Sequence, residues 1–459
     1  MSAPASPTTS LDNLHAVFKA YDVRGLVPEQ VDEALARAVG NAFVTVTGAA
    51  GSGVVVGHDM RPSSPGMARA FAEGAAAAGA DVTLIGLAST DQLYFASGHL
   101  GLPGAMFTAS HNPAQYNGIK MCRAGAVPLG TETGLLEIRD LVGSGGQVVA
   151  DRAGSIGQTD VLAAYAAHLH SLVPVRGRRL KVVVDAGNGM AGHTAPAVLG
   201  ALDLDVVPMY YELDGSFPNH EANPIDPANL VDLQAKVRES GADIGLAFDG
   251  DADRCFLVDE RGETVNPSAL TALIASRELA RQPGSTVIHN LITSRAVPEL
   301  VTALGGMPVR TRVGHSYIKA TMAQTDAVFG GEHSGHFYFR DFWRADSGML
   351  AALHALAALA ATDEPLSGLL STFSPYATSP EINSTVADQQ QVMRTIEEKY
   401  AGRDGVSIDH LDGLTVSHPD WWFNVRPSNT EPLLRLNAEA ADEQSLQELC
   451  DTVLALIRT

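Results

Sequence analysis

The chain has 459 residues, 45% of them hydrophobic, and a formal charge of −21 at pH 7. At roughly 100–200 residues per domain this is enough for three or four domains with real cores. The charge argues against nucleic acid or an anionic membrane as partner, though a few local cations can still hold a small anion.

The opening "MSAPASPTTSLDNL" is polar and lacks the apolar segment of a secretory signal. Cys122, Cys255 and Cys450 are widely spaced and form no CxxC pair, as expected of a cytoplasmic protein without disulfides. Further along, a pattern repeats three times. The first block runs "GVVVGHD", "DVTLIGL", "GAMFTASHNP". The second runs "KVVVDAGNG", "LDVVPMYY", "DIGLAFDGDADR". The third runs "STVIHNL", "MPVRTRVGHS", "DAVFGGEHSGH". Each reads strand, helix, strand, helix, strand. "GMARAFAEGAAAAG" and "NLVDLQAKVRESG" are typical of the helices between, with Gly79 and Gly241 as candidate caps. Continuous β-branched runs predict mainly parallel strands covered on both faces. "MLAALHALAALAA", from Met349, is too short to span a bilayer and reads as a buried core helix. From about Tyr376 the pattern changes to a smaller α+β region. The predicted fold class is α/β: three similar mixed-sheet α/β domains (1–155, 156–260, 261–375) and a smaller C-terminal α+β domain (376–459) around a central cleft.

In every block a polar cluster follows the third strand, where α/β sheets bind their ligands. In "TASHNPAQYNGIKM", Ser110 stands at a corner that predicts an exposed hydroxyl near backbone N–H groups, and Lys120 is placed to return to it. The plain alternative is a serine capping the next helix. In "DGDADR", Asp249, Asp251 and Asp253 alternate, so an extended segment would put three carboxylates on one face, a place for Mg²⁺ or Ca²⁺. Arg254 follows, ready for a phosphoryl oxygen. The alternative is a solvated acidic turn. In "GGEHSGH", Glu332 and Ser334 are one residue apart and suit adjacent sugar hydroxyls; zinc at His333 and His336 lacks a third ligand. In "RPSNTEP", Arg426, Ser428, Asn429 and Thr430 can all donate, which describes a phosphate site, or else a capped polar turn. Together these loops fit a phosphorylated polyol clamped at one end while the other faces Ser110.

These motifs, in this order, with "AYDVRG" and "GHDMRPSS" before them, resemble the α-D-phosphohexomutases, most closely the bacterial phosphomannomutase/phosphoglucomutase group. The resemblance covers essentially the whole chain. It implies that Ser110 is a phosphoserine completing a Mg²⁺ shell with Asp249, Asp251 and Asp253. It implies exchange between hexose 1-phosphate and 6-phosphate through a hexose 1,6-bisphosphate, which also serves as activator. Glu332 and Ser334 would read O3 and O4, with His336 supporting them. Arg426, Ser428, Asn429 and Thr430 would clamp the phosphate that does not react. Tyr21, Arg24, His111, Lys120 and Arg254 would line the transfer site, with Lys120 and His111 as candidates for proton transfer. Gly314 and His315 match a substrate loop of the third domain. The expected partner is a small phosphosugar, with no nucleic acid or membrane, and the chain a monomer or weak dimer.

Two departures stand out. Relatives often carry Thr-Pro where this chain has Thr90-Asp91, from which only a local effect is expected. "HNLITSR" lacks a lysine that relatives of dual specificity can carry. The alternatives are a phosphoglucosamine mutase, a magnesium-dependent sugar phosphatase with an aspartyl nucleophile, and a non-catalytic sugar-phosphate binder.

Overall fold

The computed structural model describes residues 7–427 and 433–458. The chain forms two compact units: Met1–Val265 with Ser334–Ser367, and Asn266–His333 with Gly368–Thr459.

Among its described residues the first unit contains two sheets and a short antiparallel pair, Phe337–Phe339 with Ala345–Asp346. One is built on β1 (Asp22–Leu26), β2 (Gly53–His58), β3 (Asp81–Leu87), β4 (Gly104–Phe107), β5 (Tyr116–Arg123) and β6 (Ile156–Gln158), in the order β1-β5-β4-β2-β3-β6. β2 runs parallel to β3 and β4, as its continuous Val54–Val56 run predicts. In keeping with the mixed-sheet class, β5 comes back antiparallel to both β4 and β1. The second sheet uses β7 (Leu180–Asp185), β8 (Leu204–Met209), β9 (Ile244–Phe248) and β10 (Cys255–Asp259), in the order β10-β9-β7-β8. There too a last antiparallel strand, β10, doubles back on β9. The reversal matters for function: it returns the chain beside the loop it has just left.

The helix Gly348–Ala360 is buried along its length except at Ala358, as its apolar sequence predicts. It belongs to the first unit. At its start, Gly348 lies against the Arg254 backbone, where a Cβ would come within 2.6 Å of the carbonyl oxygen. At its end, Arg178 donates to the carbonyls of Ala360 (2.9 Å) and Thr362 (2.9 Å).

Just before that helix, Trp343 and Arg344 both adopt left-handed backbone, with φ of 55° and 58°. The Trp343 indole packs edge-on against Phe95 of the helix Thr90–Leu100. It lies so close to Gly98 that a Cβ there would meet the ring at 2.2 Å. Alanine normally gains about 1 kcal/mol over glycine in a helix, while overpacking costs about 1–3 kcal/mol. Overpacking wins here, so Gly98→Ala lowers the thermal midpoint and perturbs tryptophan fluorescence. An alanine variant more stable than wild type would refute this packing.

The second unit carries a parallel sheet of β11 (Thr286–Asn290), β12 (Met307–Thr311) and β13 (Phe329–Gly331), with β11 pairing both others. Its C-terminal part is antiparallel: β14 (Ile382–Thr385), β15 (Leu414–His418), β16 (Trp421–Pro427) and β17 (Leu433–Ala440). Phe423, Leu434, Leu436 and Val453 form its core. The buried Glu439 accepts from Trp422 Nε1 (2.7 Å) and from the backbone and Nε of Arg295 (3.1 and 3.2 Å), tying the two parts of this unit together.

Candidate active site

The turn between β4 and β5 carries Ser110. No helix follows it, so the serine caps nothing, and the hydroxyl expected to face solvent is buried at 5% exposure. The reason is its partner: Ser110 Oγ donates to Asp249 Oδ2 at 2.7 Å. His111 Nδ1 lies 3.2 Å from the same hydroxyl. Ser110 has φ of 50°, an uncommon conformation for a residue with a side chain. On β1, Arg24 donates to Asn112 Oδ1 (2.6 Å) and Asp22 Oδ2 (2.5 Å). Tyr21 is 39% exposed at the start of this strand.

The Asp249–Arg254 loop is a turn rather than the extended segment expected from alternation. Ala252 takes φ of 58°, which curls the loop so that the three carboxylates converge. Asp249, Asp251 and Asp253 each bring a carboxylate oxygen within 4.8 Å of the others, and all three are buried. Arg254 donates to Asp249 through Nε (2.8 Å) and its backbone N–H (3.2 Å). Lys120, returning on β5, donates to Asp251 Oδ2 (2.7 Å) and Asp253 Oδ2 (2.6 Å). Asp251 Oδ1, Asp253 Oδ1 and Arg254 Nη2 are buried with no hydrogen-bond partner among the described residues. Two orphan carboxylate oxygens beside a third carboxylate suit a hard cation, and the orphan guanidinium nitrogen suits a phosphoryl oxygen.

The protonation states follow from the surroundings. Burial lowers the affinity of Lys120 for its proton, but Asp251 and Asp253 outweigh it and hold the ammonium well above its usual range. Burial and the charges of Arg254 and Arg24 push His111 well below the usual imidazole range, which favours its neutral form. Burial, then the charge of Asp251, pushes Asp253 up.

His336 and Ser334 belong to the first unit, and Ser334 Oγ lies 2.9 Å from His336 Nδ1. His336 Nε2 is 3.7 Å from Asp253 Oδ1, and Arg254 and His336 form an antiparallel backbone bridge. Glu332 belongs to the second unit. It is buried and accepts from Asn290 Nδ2 (3.3 Å) and the Gly314 backbone N–H (3.1 Å). Gly314 has φ of 129°, which a side chain would resist. His315 begins the following helix. Arg426, on β16, is drawn towards Glu381 (3.4 Å) and Asp412 (3.8 Å). Ser428, Asn429 and Thr430 lie outside the described residues.

Sequence models of the phosphoglucomutase/phosphomannomutase family match four successive segments. Its α/β/α domains I, II and III match residues 15–147, 163–262 and 266–376, and its C-terminal domain matches residues 381–456. The chain belongs to the phosphoglucomutase/phosphomannomutase family. Among similar members, a phosphomannomutase of Escherichia coli is 38% identical over 442 residues, 94% of this chain and 96% of the relative. A phosphomannomutase/phosphoglucomutase of Pseudomonas aeruginosa is 36% identical over 454 residues, 98% and 96% of the two chains. The crystal structure of a phosphoglucomutase/phosphomannomutase family protein from Burkholderia thailandensis superimposes with a TM-score of 0.88 at 33% identity, covering 96% of this chain and 97% of that one.

In this family member, motif reading misses two residues. Arg61, in "GHDMRPSS", is fully buried, and its five N–H hydrogens meet five acceptors. Nε donates to Asp59 Oδ2 (3.2 Å). Nη1 donates to the carbonyls of Pro113 (2.8 Å) and Tyr116 (2.9 Å), and Nη2 to those of Ser110 (3.0 Å) and Asn112 (2.7 Å). The ring of Phe217 covers the guanidinium at 5.1 Å. The Ser110 turn is therefore moulded on one side chain. A buried arginine pairing with a nearby aspartate was the available signal: "HDMR" places Asp59 two residues before it.

The second is Asp91, whose effect was expected to be local. It is fully buried and accepts hydrogen bonds from Ser89 on its own helix cap, from Tyr165 (2.7 Å) in the helix Leu162–Leu172, and from Ser347 (2.6 Å) ahead of the helix Gly348–Ala360. It joins three segments far apart in sequence.

Proposed function

We propose that the chain interconverts hexose 1-phosphate and hexose 6-phosphate through a phosphoserine at Ser110. The observation that carries this reading is the Ser110 hydroxyl bonded to Asp249 among three converging carboxylates, with two orphan oxygens and an orphan guanidinium nitrogen alongside. Membership of the family supports the same reaction class.

In the first half-reaction the Ser110 Oγ–P bond breaks as a sugar hydroxyl oxygen forms its own bond to phosphorus, giving a hexose 1,6-bisphosphate. The hydroxyl proton leaves to a base. In the second, Ser110 takes the other phosphoryl group back. Asp249, Asp251 and Asp253 would hold Mg²⁺, which when bound neutralises charge on the transferring group. Arg254 turns its orphan nitrogen to a phosphoryl oxygen. His111, beside the Ser110 hydroxyl, and Lys120 are the candidates to move the hydroxyl proton. Glu332 and Ser334 would read two sugar hydroxyls, with His336 orienting Ser334. Gly314, His315 and Tyr21 would line the substrate. Arg426, with Ser428, Asn429 and Thr430, would clamp the phosphate that stays in place.

The test is a panel of mannose 1-phosphate, glucose 1-phosphate and glucosamine 1-phosphate, each with Mg²⁺ and a trace of hexose 1,6-bisphosphate. Conversion of mannose and glucose 1-phosphates to 6-phosphates is expected. A Glu/Ser pair on O3 and O4 does not sense C2, where these two sugars differ. Turnover mainly of the amino sugar would move the chain to the glucosamine branch, and release of free phosphate without isomerisation would overturn the reading.

A further inference from the structure

We infer that Asp91 is a positioning residue for the transfer site: its buried carboxylate fastens the starts of two helices and, through them, holds both sides of the acidic cluster. The inference rests on the reading that Asp249, Asp251 and Asp253 hold the metal ion.

Asp91 lies one residue beyond Thr90. The Thr90 backbone N–H donates to the carbonyl of Asp251 (2.9 Å), and its hydroxyl donates to Asp251 Oδ2 (2.6 Å). Lys120 holds that same oxygen, so the two together leave Oδ1 for an ion. On the other side, Ser347 directly follows Asp346, which gathers with Asp253 and His336 within 4.8 Å. Asp91 grips Ser347 and is covalently next to Thr90. One carboxylate therefore sets the spacing between the two walls of the cluster.

The chemistry of the joint is specific. Ser89 and Ser347 each cap a helix by accepting a backbone N–H, from Gln92 (3.2 Å) and Leu350 (3.0 Å), and each turns its own hydroxyl hydrogen to Asp91. The positive ends of two helices thus face the Asp91 carboxylate. Three hydroxyl donors can meet at one point only on a group with several acceptor lone pairs. An asparagine offers one acceptor oxygen and presents N–H to the remaining hydroxyls, so at least one hydroxyl must turn away.

The test uses the full chain with Asp91→Asn and Tyr165→Phe. The second keeps the ring packed and removes one donor from a helix that carries no proposed site residue. Mn²⁺ binding without sugar is followed by electron paramagnetic resonance, beside kcat, KM and the thermal midpoint. Partners that orient metal ligands typically contribute 10–100-fold, so Asp91→Asn is expected to weaken Mn²⁺ binding and lower kcat by about that factor. KM for the hexose phosphate should stay within about twofold, because Asp91 contacts none of the proposed sugar or phosphate readers. Tyr165→Phe is expected to shift both quantities the same way by about two- to tenfold. If Asp91→Asn does not fold, Tyr165→Phe decides. A lowered thermal midpoint with Mn²⁺ affinity and kcat unchanged would overturn the inference. A wild type that binds no Mn²⁺ would overturn the metal reading beneath it as well, and that outcome is visible before any variant is made.

Discussion

Replacing Ser110 by alanine is expected to abolish hexose phosphate isomerisation and to leave the protein folded. Under the phosphoserine reading no other atom can carry the phosphoryl group, so the loss should reach about 10⁴-fold or more, the scale of removing a covalent nucleophile. The structural cost is one hydrogen bond to the Asp249 carboxylate, about 1.5–3 kcal/mol. Asp249 keeps its two bonds from Arg254, so the loop around it stays tethered. Those bonds also count against an aspartyl phosphatase, since the carboxylate that would attack is held by a guanidinium and a hydroxyl. The measurement is the isomerase assay with added bisphosphate, beside phosphate release and the intact mass of protein exposed to bisphosphate. Wild type should gain one phosphoryl group and the variant none. A variant that still releases phosphate at the wild-type rate would place the chemistry on an aspartate.

The second large effect belongs to Arg61. Arg61→Met removes a buried cation of similar length, strands the Asp59 charge and frees four carbonyl oxygens of the Ser110 turn. Breaking a buried pair from one side costs about 3–5 kcal/mol. For a unit of this size that is a fall of roughly 6–10 °C in the thermal midpoint. The activity loss should exceed what stability explains. Ser110 sits in a left-handed conformation that costs about 1–3 kcal/mol and persists only while its surroundings impose it. Once released, it moves, and a displacement near 1 Å is worth about 10²-fold in rate. Arg61→Lys keeps the charge but not the fork, so it should recover part of the stability and little of kcat. A methionine variant with wild-type kcat and midpoint would mean that the turn holds itself.

Much of the fold was legible because hydrophobic runs and polar clusters alternate with a fixed period. Val54–Val56 reads as a central strand since every residue is apolar and β-branched, and so it is. The cluster of Asp249, Asp251 and Asp253 was legible as composition, but its geometry was not. A single left-handed alanine turns the loop, and nothing in "DGDADR" marks Ala252 for that role. Ser110 shows the same limit. Its exposure depends on Asp249, 139 residues away, a contact that local pattern cannot contain. Asp91 reads as a local departure in the sequence, whereas its partners, Tyr165 and Ser347, lie in other segments. Sequence periodicity reports which face of an element is apolar; it is silent about which distant hydroxyl will meet which carboxylate.

The return of Ser334–Ser367 to the first unit has a consequence for biosynthesis. A nascent chain that has just left the ribosome at Val265 still lacks the Gly348 helix. About a hundred further residues must be made first, a wait of roughly 5–20 s at usual elongation rates. During that interval the face that will receive Gly348 against Arg254 stays open, and Asp91 waits for Ser347. Chaperones that bind apolar surface have their natural opportunity there, and messages truncated before this helix would yield chains prone to aggregate.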